Sequence, residues 1–251
     1  MKIRLGLVTA AGVVALVGLL VATLVALRRD DPDPAVYPTR GIDVSHHQGP
    51  IDWTSVAEDG VDFAFIKATE GGDFHDPRFK ANWAAARAEG VARGAYHYFT
   101  FCTPGHAQAA NFLQVVPPEE GALVPAIDVE FGGNCSRYGK LEEVRVELAL
   151  LLAEVERAWQ RKPILYLTTR SRLQLMDARF ADYPIWQRNV YWRMPPEPTR
   201  SWSVWQYADD GEVAGISGPV DRNVLHPEVE LASLRVSMRD GATARATAEA
   251  R

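Results

Sequence analysis

Residues 124–130 run through small and β-branched side chains into two carboxylates, Asp128 and Glu130, separated by one residue. The apolar run predicts a buried strand, and side chains two positions apart on a strand point to the same side. Their Cα atoms would lie roughly 6.6 Å apart. Ionising one carboxyl at that range makes ionising the other harder, so one proton is held to a higher pH. The pair is therefore equipped to act as a general acid beside a charged stabiliser.

The surrounding elements decide between this chemistry and a simpler interpretation, in which the two acids cap the next helix or meet solvent. Predicted strands and helices alternate over residues 41–187, which is typical of right-handed βαβ units in a parallel sheet. The final predicted strands, 202–207 and 212–216, have no helix between them. Eight strands in about 190 residues indicate a closed barrel whose last helices are missing. An open doubly wound sheet is the alternative, although no G-x-G-x-x-G follows the first strand.

In a parallel barrel the catalytic groups lie at the carboxyl ends of the strands. Polar and aromatic side chains end or follow most of the predicted strands of this chain. They are Asp43, Lys67, Glu70, Tyr96, His97, Asp128, Glu130, Tyr166, Trp205, Gln206, Tyr207 and Asp221. We expect these groups to converge on one mouth, with Lys67 and Glu70 paired with each other or with the other acids. This convergence favours a catalytic function for the Asp128–Glu130 pair.

The amino-terminal residues predict a membrane anchor. Residues 5–27 contain no charge and consist of Leu, Val, Ala, Gly and two Thr, with basic residues within 2–4 and at 28–29. About 20 apolar residues span a bilayer, whereas a cleaved signal peptide has a shorter apolar region. We therefore expect residues 1–29 to form a single uncleaved transmembrane anchor with charged flanks.

The rest of the chain divides into a linker, one domain and a tail. Residues 30–39 hold acids and three prolines, which favours a short stiff linker. Residues 40–234 are long enough for one domain with a full-sized core. Residues 235–251 lack apolar periodicity and predict a disordered tail. The net charge of -5 and the lack of a basic run with interleaved aromatics argue against nucleic acid as a partner.

Cysteine and histidine spacing gives little support for a metal site. Cys102 and Cys135 are the two cysteines, and without C-x-x-C spacing they argue against structural zinc. An exported domain permits a disulfide between them, but the sequence does not place their Cα atoms within the required distance of about 7 Å. The histidines considered as ligands are His46, His47, His75 and His97. They show no H-E-x-x-H or comparable spacing, so we expect no metal.

Six short motifs follow one another along the domain. They are Gly41-Ile42-Asp43-Val44-Ser45, Phe65-Ile66-Lys67-Ala68-Thr69-Glu70-Gly71, Gly94-Ala95-Tyr96-His97-Tyr98-Phe99, Asp128-Val129-Glu130, Trp205-Gln206-Tyr207 and Val220-Asp221-Arg222-Asn223. In this order they resemble the motifs of the family 25 glycoside hydrolases, which are lysozymes of the N-acetylmuramidase type. The resemblance covers about residues 40–224. It implies a TIM-like (β/α)5(β)3 barrel, preceded here by the transmembrane helix.

The resemblance also implies an activity and roles for individual residues. The expected reaction is hydrolysis of the β-1,4 bond between N-acetylmuramic acid and N-acetylglucosamine in peptidoglycan, without a cofactor and by a monomer. Glu130 would protonate the leaving oxygen, and Asp128 would be its ionised partner, while Asp43 and Asp221 would complete an acidic floor. The spacing of the pair leaves both a substrate-assisted route and an enzyme nucleophile open. The aromatic residues expected to contact sugar, or else to fill the barrel, are Tyr96, Tyr166, Trp186, Trp205 and Tyr207.

Two other functions remain open from the sequence. The barrel could be a non-catalytic module that binds wall glycan, although the complete set of acids argues against this. It could also be a chitin-type glycosidase, since such enzymes use Asp-x-Glu acids on a similar barrel. The expected partners are peptidoglycan strands and the membrane, which would place an anchored domain outside the cytoplasm, facing the periplasm or the cell wall.

Overall fold

The computed structural model describes residues 12, 14–23, 31–133, 135, 138–191 and 202–237. The strands are β1 (Arg40–Val44), β2 (Phe63–Glu70), β3 (Phe74–His75), β4 (Ala92–Tyr98), β5 (Ala126–Val129), β6 (Ile164–Leu167), β7 (Ile185–Arg188), β8 (Val204–Gly211) and β9 (Val220–Leu225). The helices are α1 (Trp53–Glu58), α2 (Phe79–Ala88), α3 (Gly105–Val115), α4 (Leu141–Trp159) and α5 (Thr169–Leu175). Short 3-10 turns lie at His46–Gln48, Ala178–Phe180 and Leu231–Leu234.

The strands form one sheet that closes into a barrel. β1 pairs in parallel with β2 and antiparallel with β9, which joins the two ends of the sheet. The nine strands of the described residues include β3, which pairs only with β2, so eight strands make up the ring. Each of the five helices follows one of the strands between β1 and β6, whereas the described residues that connect β7, β8 and β9 contain no helix. Parallel pairing from β1 through β8 places the carboxyl ends of those strands at one mouth.

The prediction of a TIM-like (β/α)5(β)3 barrel preceded by a transmembrane helix is wrong. The barrel has mixed strand directions, because β9 runs antiparallel to both of its neighbours. Residues 212–219 join β8 to β9, and this connection is too short for a parallel crossover, which needs a dozen or more residues. The predicted strand at 212–216 is a loop, and the last strand lies at Val220–Leu225. The sequence predicted a strand here because Val213 and Ile216 are apolar. Val213 is indeed buried, but it lies in the loop.

The predicted anchor is the second part of this correction. Of residues 5–27, the structure describes 12 and 14–23, and these are helical. Among all the described positions, no helix is both long enough and apolar enough to cross a bilayer. The remaining residues of the predicted anchor, and residues 238–251 of the predicted tail, lie outside the described residues.

Residues 31–39, which the sequence predicts as a linker, lie against the outer surface of β8 and β9. The Tyr37 ring stacks on Trp202, with ring centroids 6.3 Å apart, and meets the edge of Trp205 at 5.8 Å. Asp31 forms an ion pair with Arg222 of β9, with Oδ2 and Nη1 2.6 Å apart. This segment covers part of the barrel surface that no helix of the described chain covers.

The barrel interior is filled by aromatic rings that need small residues on the neighbouring strands. Phe63 and Phe65 of β2 are fully buried. A Cβ atom on Gly41 of β1 would collide with the Phe63 ring, and one on Gly94 of β4 would collide with the Phe65 ring. Glycine at these two positions therefore allows the rings to pack between the strands. Phe65 also contacts Trp186 of β7 across the barrel, at 4.8 Å between ring centroids.

Candidate active site

Asp128 and Glu130 lie at the mouth of the barrel, at the end of β5. Asp128 is paired in register with Tyr98 of β4 and Tyr166 of β6. Glu130 lies two residues after Asp128, just past the end of β5. Burial raises the pKa of Asp128 well above its ordinary range, and the neighbouring charges of Glu130 and Asp43 raise it further. Burial also raises the pKa of Glu130, and Arg188 and Lys67 partly offset this effect. The two side chains therefore face one hollow and influence each other's protonation.

Asp43 and Asp221 lie on the adjoining part of the mouth. β1 and β9 place them directly opposite each other as register partners. Burial raises the pKa of Asp43 well above its usual range, with a further contribution from the charge of Asp221. The pKa of Asp221 is raised to about 6, first by burial and then by Asp209 of β8. The structure thus brings together all four carboxylates that the sequence indicated, since Asp43 and Asp221 also raise the pKa of Asp128.

Three of the five predicted aromatic residues lie inside the barrel. Tyr166 donates a hydrogen bond from its hydroxyl to Gln206 Oε1 at 2.6 Å. Trp186 contacts Tyr166 edge to face, at 4.8 Å between ring centroids, and is only 1% exposed, so it lies below the open part of the mouth. Tyr96 is partly exposed, and the charges of Asp43, Asp128 and Asp221 all raise its pKa after the larger effect of burial. Tyr96 is therefore the ring of this group that is both near the acids and open to a ligand.

The other two predicted aromatic residues, Trp205 and Tyr207, lie on the outer face of β8. They form a small apolar cluster with Trp202, Ala208 and Val224, and the exposed fractions of Trp205 and Tyr207 are 1% and 2%. Trp205 donates its indole N–H to the Asn189 carbonyl at 3.0 Å. The structure does not bring these two rings to the carboxylates.

Asn223, Arg188 and Asp209 are site residues to which the sequence reasoning gave no role, whereas Gln206 was expected at the mouth and is found there. Gln206 donates to Asp221 and Asn223 donates to Asp43. Arg188 of β7 pairs with Asp209 and lowers the pKa of Glu130. A signal for two of them was present, because each lies two positions after a residue assigned to the barrel interior or the floor. Asn223 follows Asp221, Arg188 follows Trp186, and alternation along a strand keeps each pair on one side.

Lys67 supplies a second positive charge at the mouth. Its ammonium group lies 2.6 Å from Glu70 Oε2, as the sequence predicted, and 4.9 Å from the centre of the Tyr98 ring. Its charge lowers the pKa of Asp128 and of Glu130. The four carboxylates are therefore accompanied by two cations that act on Glu130. Lys67 is supplied by β2 and Arg188 by β7.

A disulfide joins Cys102 and Cys135, with their Cα atoms 5.7 Å apart. It connects the loop after β4 to the loop after Glu130. Phe101 packs against Phe131 and Tyr138 beside it, with ring centroids 5.1 Å and 5.2 Å apart. A small pocket between these loops is lined by Tyr98, Phe99, Thr100, Phe101, Glu130, Gly132, Gly133 and Cys135. The disulfide thus restrains the rim immediately beside Glu130.

The histidines have separate environments. His46 Nδ1 lies 2.8 Å from Asp76 Oδ2, and His75 Nε2 lies 2.8 Å from Asn111 Oδ1. His97 is buried between Thr69 and Gln108, and burial lowers its pKa to about 4. His97 is therefore neutral near pH 7 and connects β2 and β4 to α3.

The arrangement is suited to protonating a leaving group and to binding an N–H or O–H of a ligand. Glu130 has a raised pKa and is less buried than Asp128. Asp128 is only 8% exposed, and its Oδ1 atom is buried without a hydrogen-bond partner among the described residues. A buried carboxylate oxygen without a donor is costly, and a ligand N–H would satisfy it.

Comparison with known proteins identifies the family. The model of the glycosyl hydrolases family 25 matches residues 42–216, which is most of the barrel. The chain belongs to glycosyl hydrolase family 25. As a family 25 member it is a glycoside hydrolase, and the expected resemblance is confirmed.

Relatives of this family 25 chain include proteins named as lysozymes. Lysozyme M1 of Streptomyces globisporus is 34% identical over 197 residues, which cover 73% of this chain and 66% of that protein. The bacterial lysozyme from Streptomyces coelicolor superposes with a TM-score of 0.71 at 33% identity, covering 78% of this chain and 94% of that one. A family 25 glycosyl hydrolase from Bacillus anthracis gives a TM-score of 0.70 at 36% identity, covering 76% and 89%. Together with the family, these relatives support peptidoglycan hydrolysis, and they favour an enzyme over a non-catalytic wall-binding module.

Proposed function

We propose that this family 25 hydrolase is an N-acetylmuramidase that cuts the β-1,4 bond between N-acetylmuramic acid and N-acetylglucosamine, with Glu130 as proton donor and Asp128 as partner carboxylate. The observation that carries this proposal is that Asp128 and Glu130 lie at one mouth, where burial raises the pKa of both carboxyls. The lysozyme relatives support the choice of peptidoglycan as substrate.

The proton donor must be protonated at working pH and reach the leaving oxygen. Burial raises the pKa of Glu130 and so favours the protonated form that the first condition requires. It meets the second because it lies past the end of β5, where it lines the pocket at the rim and remains partly exposed. Arg188 and Lys67 then favour the carboxylate that remains after the proton has left, since both lower the pKa of Glu130. A general acid of this kind contributes roughly 10²–10⁴ in rate.

Asp128 suits the role of the partner that binds the substrate's acetamido group. Its Oδ1 atom is the buried acceptor described above, and an amide N–H at C2 of the sugar would donate to it. This contact would hold the amide so that its oxygen faces the anomeric carbon. When Glu130 holds the proton of the pair, the nearby charge of Lys67, which lowers the pKa of Asp128, favours the Asp128 carboxylate. The negative charge of this carboxylate would then stabilise the positive charge that develops on the sugar in the transition state.

Asp43, Asp221 and the inner aromatic residues complete the proposed site. Asp43 and Asp221 form the acidic floor beneath the sugar, and Tyr96 is the ring proposed to contact the sugar directly. Tyr166 and Trp186 lie beneath the floor and support it. Tyr166 donates a hydrogen bond to Gln206, and Trp186 is buried. We do not extend the proposal to Trp205 and Tyr207, which lie on the outer face of the barrel wall.

The relatives indicate an enzyme that acts on the cell wall, outside the cytoplasm. The Cys102–Cys135 disulfide agrees with an oxidising compartment, since such bonds are rare in the cytosol. Every residue of the proposed site comes from one chain, so we propose that the enzyme acts as a monomer.

The test is product analysis of digested peptidoglycan. The full-length protein is incubated with purified walls, and the products are reduced with borohydride and identified by mass spectrometry. A muramidase yields reduced muramic acid at the new ends, whereas cleavage of the other glycosidic bond yields reduced glucosamine. Reduced glucosamine, or no new reducing ends, would contradict the proposal.

The role of Glu130 is tested with one substitution and a matched control. Glu130→Gln keeps the shape but cannot donate a proton, so we expect kcat to fall by about 1,000-fold. Glu156→Gln is the control, because Glu156 lies on α4, outside the proposed site. It accepts a hydrogen bond from the Tyr183 hydroxyl at 2.9 Å. This variant should keep wild-type activity. Equal loss in both variants would show that the effect of Glu130→Gln is structural.

A chitin-type glycosidase is the second candidate, because the same pair of acids serves both reactions. The same preparation is assayed on chitooligosaccharides, which lack the lactyl group of muramic acid. Turnover of the chitin substrate at a rate comparable to peptidoglycan would favour this alternative, and a peptidoglycan preference of at least about 100-fold would exclude it.

A further inference from the structure

Two buried chains of hydrogen bonds end on the acidic floor. In the first, Trp186 donates from Nε1 to Asn223 Oδ1 at 2.7 Å, and Asn223 donates from Nδ2 to Asp43 Oδ2 at 2.8 Å. In the second, Tyr166 donates from its hydroxyl to Gln206 Oε1 at 2.6 Å, and Gln206 donates from Nε2 to Asp221 Oδ1 at 2.5 Å. In both chains the amide uses its oxygen to accept from a ring and its nitrogen to donate to a carboxyl.

The sheet places the two amides side by side. Gln206 of β8 and Asn223 of β9 are register partners, and so are Asp221 of β9 and Asp43 of β1. Gln206 is 2% exposed and Asn223 is fully buried, so neither amide exchanges its partner for solvent. A primary amide fixed at its oxygen by a donor has its N–H groups directed the other way. The rings of Trp186 and Tyr166 therefore fix which end of each amide faces the carboxyls.

Asp43 and Asp221 also interact directly. Burial raises the pKa of Asp43 most, the charge of Asp221 and a hydrogen bond with it raise this pKa further, and the hydrogen bond from Asn223 lowers it. A proton shared by the pair is therefore favoured on Asp43, which would donate it to Asp221. Asp221 then accepts from Gln206 on one side and from Asp43 on the other. The second chain therefore reaches Asp221 directly, and the first reaches it through Asp43.

We propose that Gln206 and Asn223 are positioning residues that hold the Asp43–Asp221 pair with one proton, on Asp43, and one negative charge, on Asp221. This inference rests on the proposed function, because its purpose is to keep a single charge at a fixed place beneath the sugar. Two ionised carboxylates at adjoining positions would repel each other, and two protonated ones would leave no charge to stabilise a developing cation.

The charge on Asp221 depends on groups from several strands. Those that face it are Asp43 of β1, Tyr96 of β4, Asp128 and Glu130 at the end of β5, Tyr166 of β6, Arg188 of β7, and Gln206 and Asp209 of β8. Asp209 raises the pKa of Asp221, while Gln206 and Arg188 lower it, and the result is about 6. A lost donor from Gln206 would raise this pKa, because the hydrogen bond favours the charged form.

The main test is the pH dependence of kcat/KM for Gln206→Met, which has a similar volume but cannot donate. We expect the acid limb to move from about pH 6 to about pH 7, since one charge-assisted hydrogen bond is lost. Activity relative to wild type should then fall by about tenfold at pH 5 and hardly at pH 8. The alkaline limb, which we assign to Glu130, should not move.

Gln187→Met is the matched control. Gln187 is 3% exposed and donates to the carbonyl groups of Leu167 and Arg188, but it makes no contact with the carboxylates. It should lower thermal stability to a similar degree and leave the acid limb unchanged. If it shifts the limb as far as Gln206→Met does, or if Gln206→Met loses the same factor at every pH, the amides only stabilise the fold and the proposal is overturned.

A second measurement does not depend on the folding of any variant at position 206. Carbon NMR of γ-carboxyl groups is recorded on wild-type protein labelled with ¹³C-aspartate. We expect one carboxyl resonance that titrates near pH 6 and disappears in Asp221→Asn, while the Asp43 carboxyl stays protonated to a higher pH than Asp221. An Asp43 that is ionised at pH 7 would refute the inference. Failure of the proposed function is distinguishable, because the wild type would then release no muramic acid ends at any pH.

Discussion

The inner and outer faces of β8 and β9 are built from alternating residues of the same two strands, yet they have opposite character. The inner face presents Gln206, Asp221 and Asn223. Gln206 donates a hydrogen bond to Asp221, and Asn223 donates one to Asp43. The outer face presents Trp205 and Val224, which pack with Trp202 and Tyr207. Buried polar groups of the inner face contribute little to stability and much to chemistry, and buried rings of the outer face do the reverse. The comparison shows that adjacent residues of one strand serve different purposes here. Gln206 contacts the carboxylates, and the neighbouring Trp205 packs in the outer apolar cluster.

Trp205→Ala should break the outer face and has the largest expected effect. Removing a buried Trp costs about 3–5 kcal/mol of unfolding free energy, while the carboxylates on the other side keep their positions. We expect a large loss in a denaturant unfolding experiment and near-normal kcat for the folded fraction at low temperature. Trp205→Phe keeps a ring in place and should lose much less stability. A Trp205→Ala enzyme that is stable but inactive would show that the ring serves the reaction.

Asp221→Asn should break the inner face, with the opposite pattern. We expect kcat to fall by about 100-fold, or about 2.7 kcal/mol, because the charge beneath the sugar is lost. Stability should not fall. The pKa of Asp221 is raised from 3.8 to about 6, so between these pH values the folded state holds more protons than the unfolded state. Wild-type stability therefore decreases as pH rises through this window, and the variant should show a flatter profile in thermal unfolding. An equally steep profile in the variant would contradict this assignment.

Alternation explains both what the sequence could predict and where it failed. Asp128 and Glu130 lie on one side, as their spacing predicts, and the apolar residues of α4 that repeat at helical spacing are buried against the barrel. Trp205 and Gln206 are adjacent, so they could not both face the interior as the sequence analysis expected, and it is Gln206 that contacts the acids. The register of β8 also shifts between Gln206 and Ala208. Tyr207 and Ala208 both lie on the outer side, and Asp209 returns to the mouth.

The parts of the site that were missed depend on pairing between distant strands. Nothing local to residues 204–225 shows that β9 runs antiparallel to β1 and so brings Asp221 opposite Asp43. The same antiparallel step places Gln206 beside Asn223. Such partners follow from closure of the barrel, and a local pattern of strand and turn residues does not specify them.

Tyr37→Ala tests how far the amino-terminal segment belongs to the outer face. Tyr37 is partly buried against Trp202 and Trp205, so we expect a loss of about 1–2 kcal/mol in unfolding free energy. Tryptophan fluorescence should shift to longer wavelength as water reaches the rings. Activity should stay within twofold of wild type. An unchanged spectrum and stability would show that the segment does not stabilise the outer face and acts only as the short stiff linker that the sequence predicted.

Arg222→Ala has the smallest expected effect. Arg222 pairs with Asp31 and lies 5.4 Å from the centre of the Tyr207 ring. Surface ion pairs contribute about 0–1 kcal/mol, so we expect a loss of less than about 1 kcal/mol that disappears at high salt. A double-mutant cycle with Asp31→Ala measures the pair directly. A drop in kcat without a drop in stability would mean that the outer face communicates with the floor.

The Cys102–Cys135 disulfide has a consequence for survival among proteases. The two cysteines are 33 residues apart, and the covalent ring that they close contains all of α3 and β5, including Asp128 and Glu130. A single backbone cut anywhere within this ring leaves both fragments attached to each other. The strand that carries Asp128 and Glu130 would then remain covalently tethered to the barrel. We therefore expect an enzyme that is cut once within this ring to retain its activity.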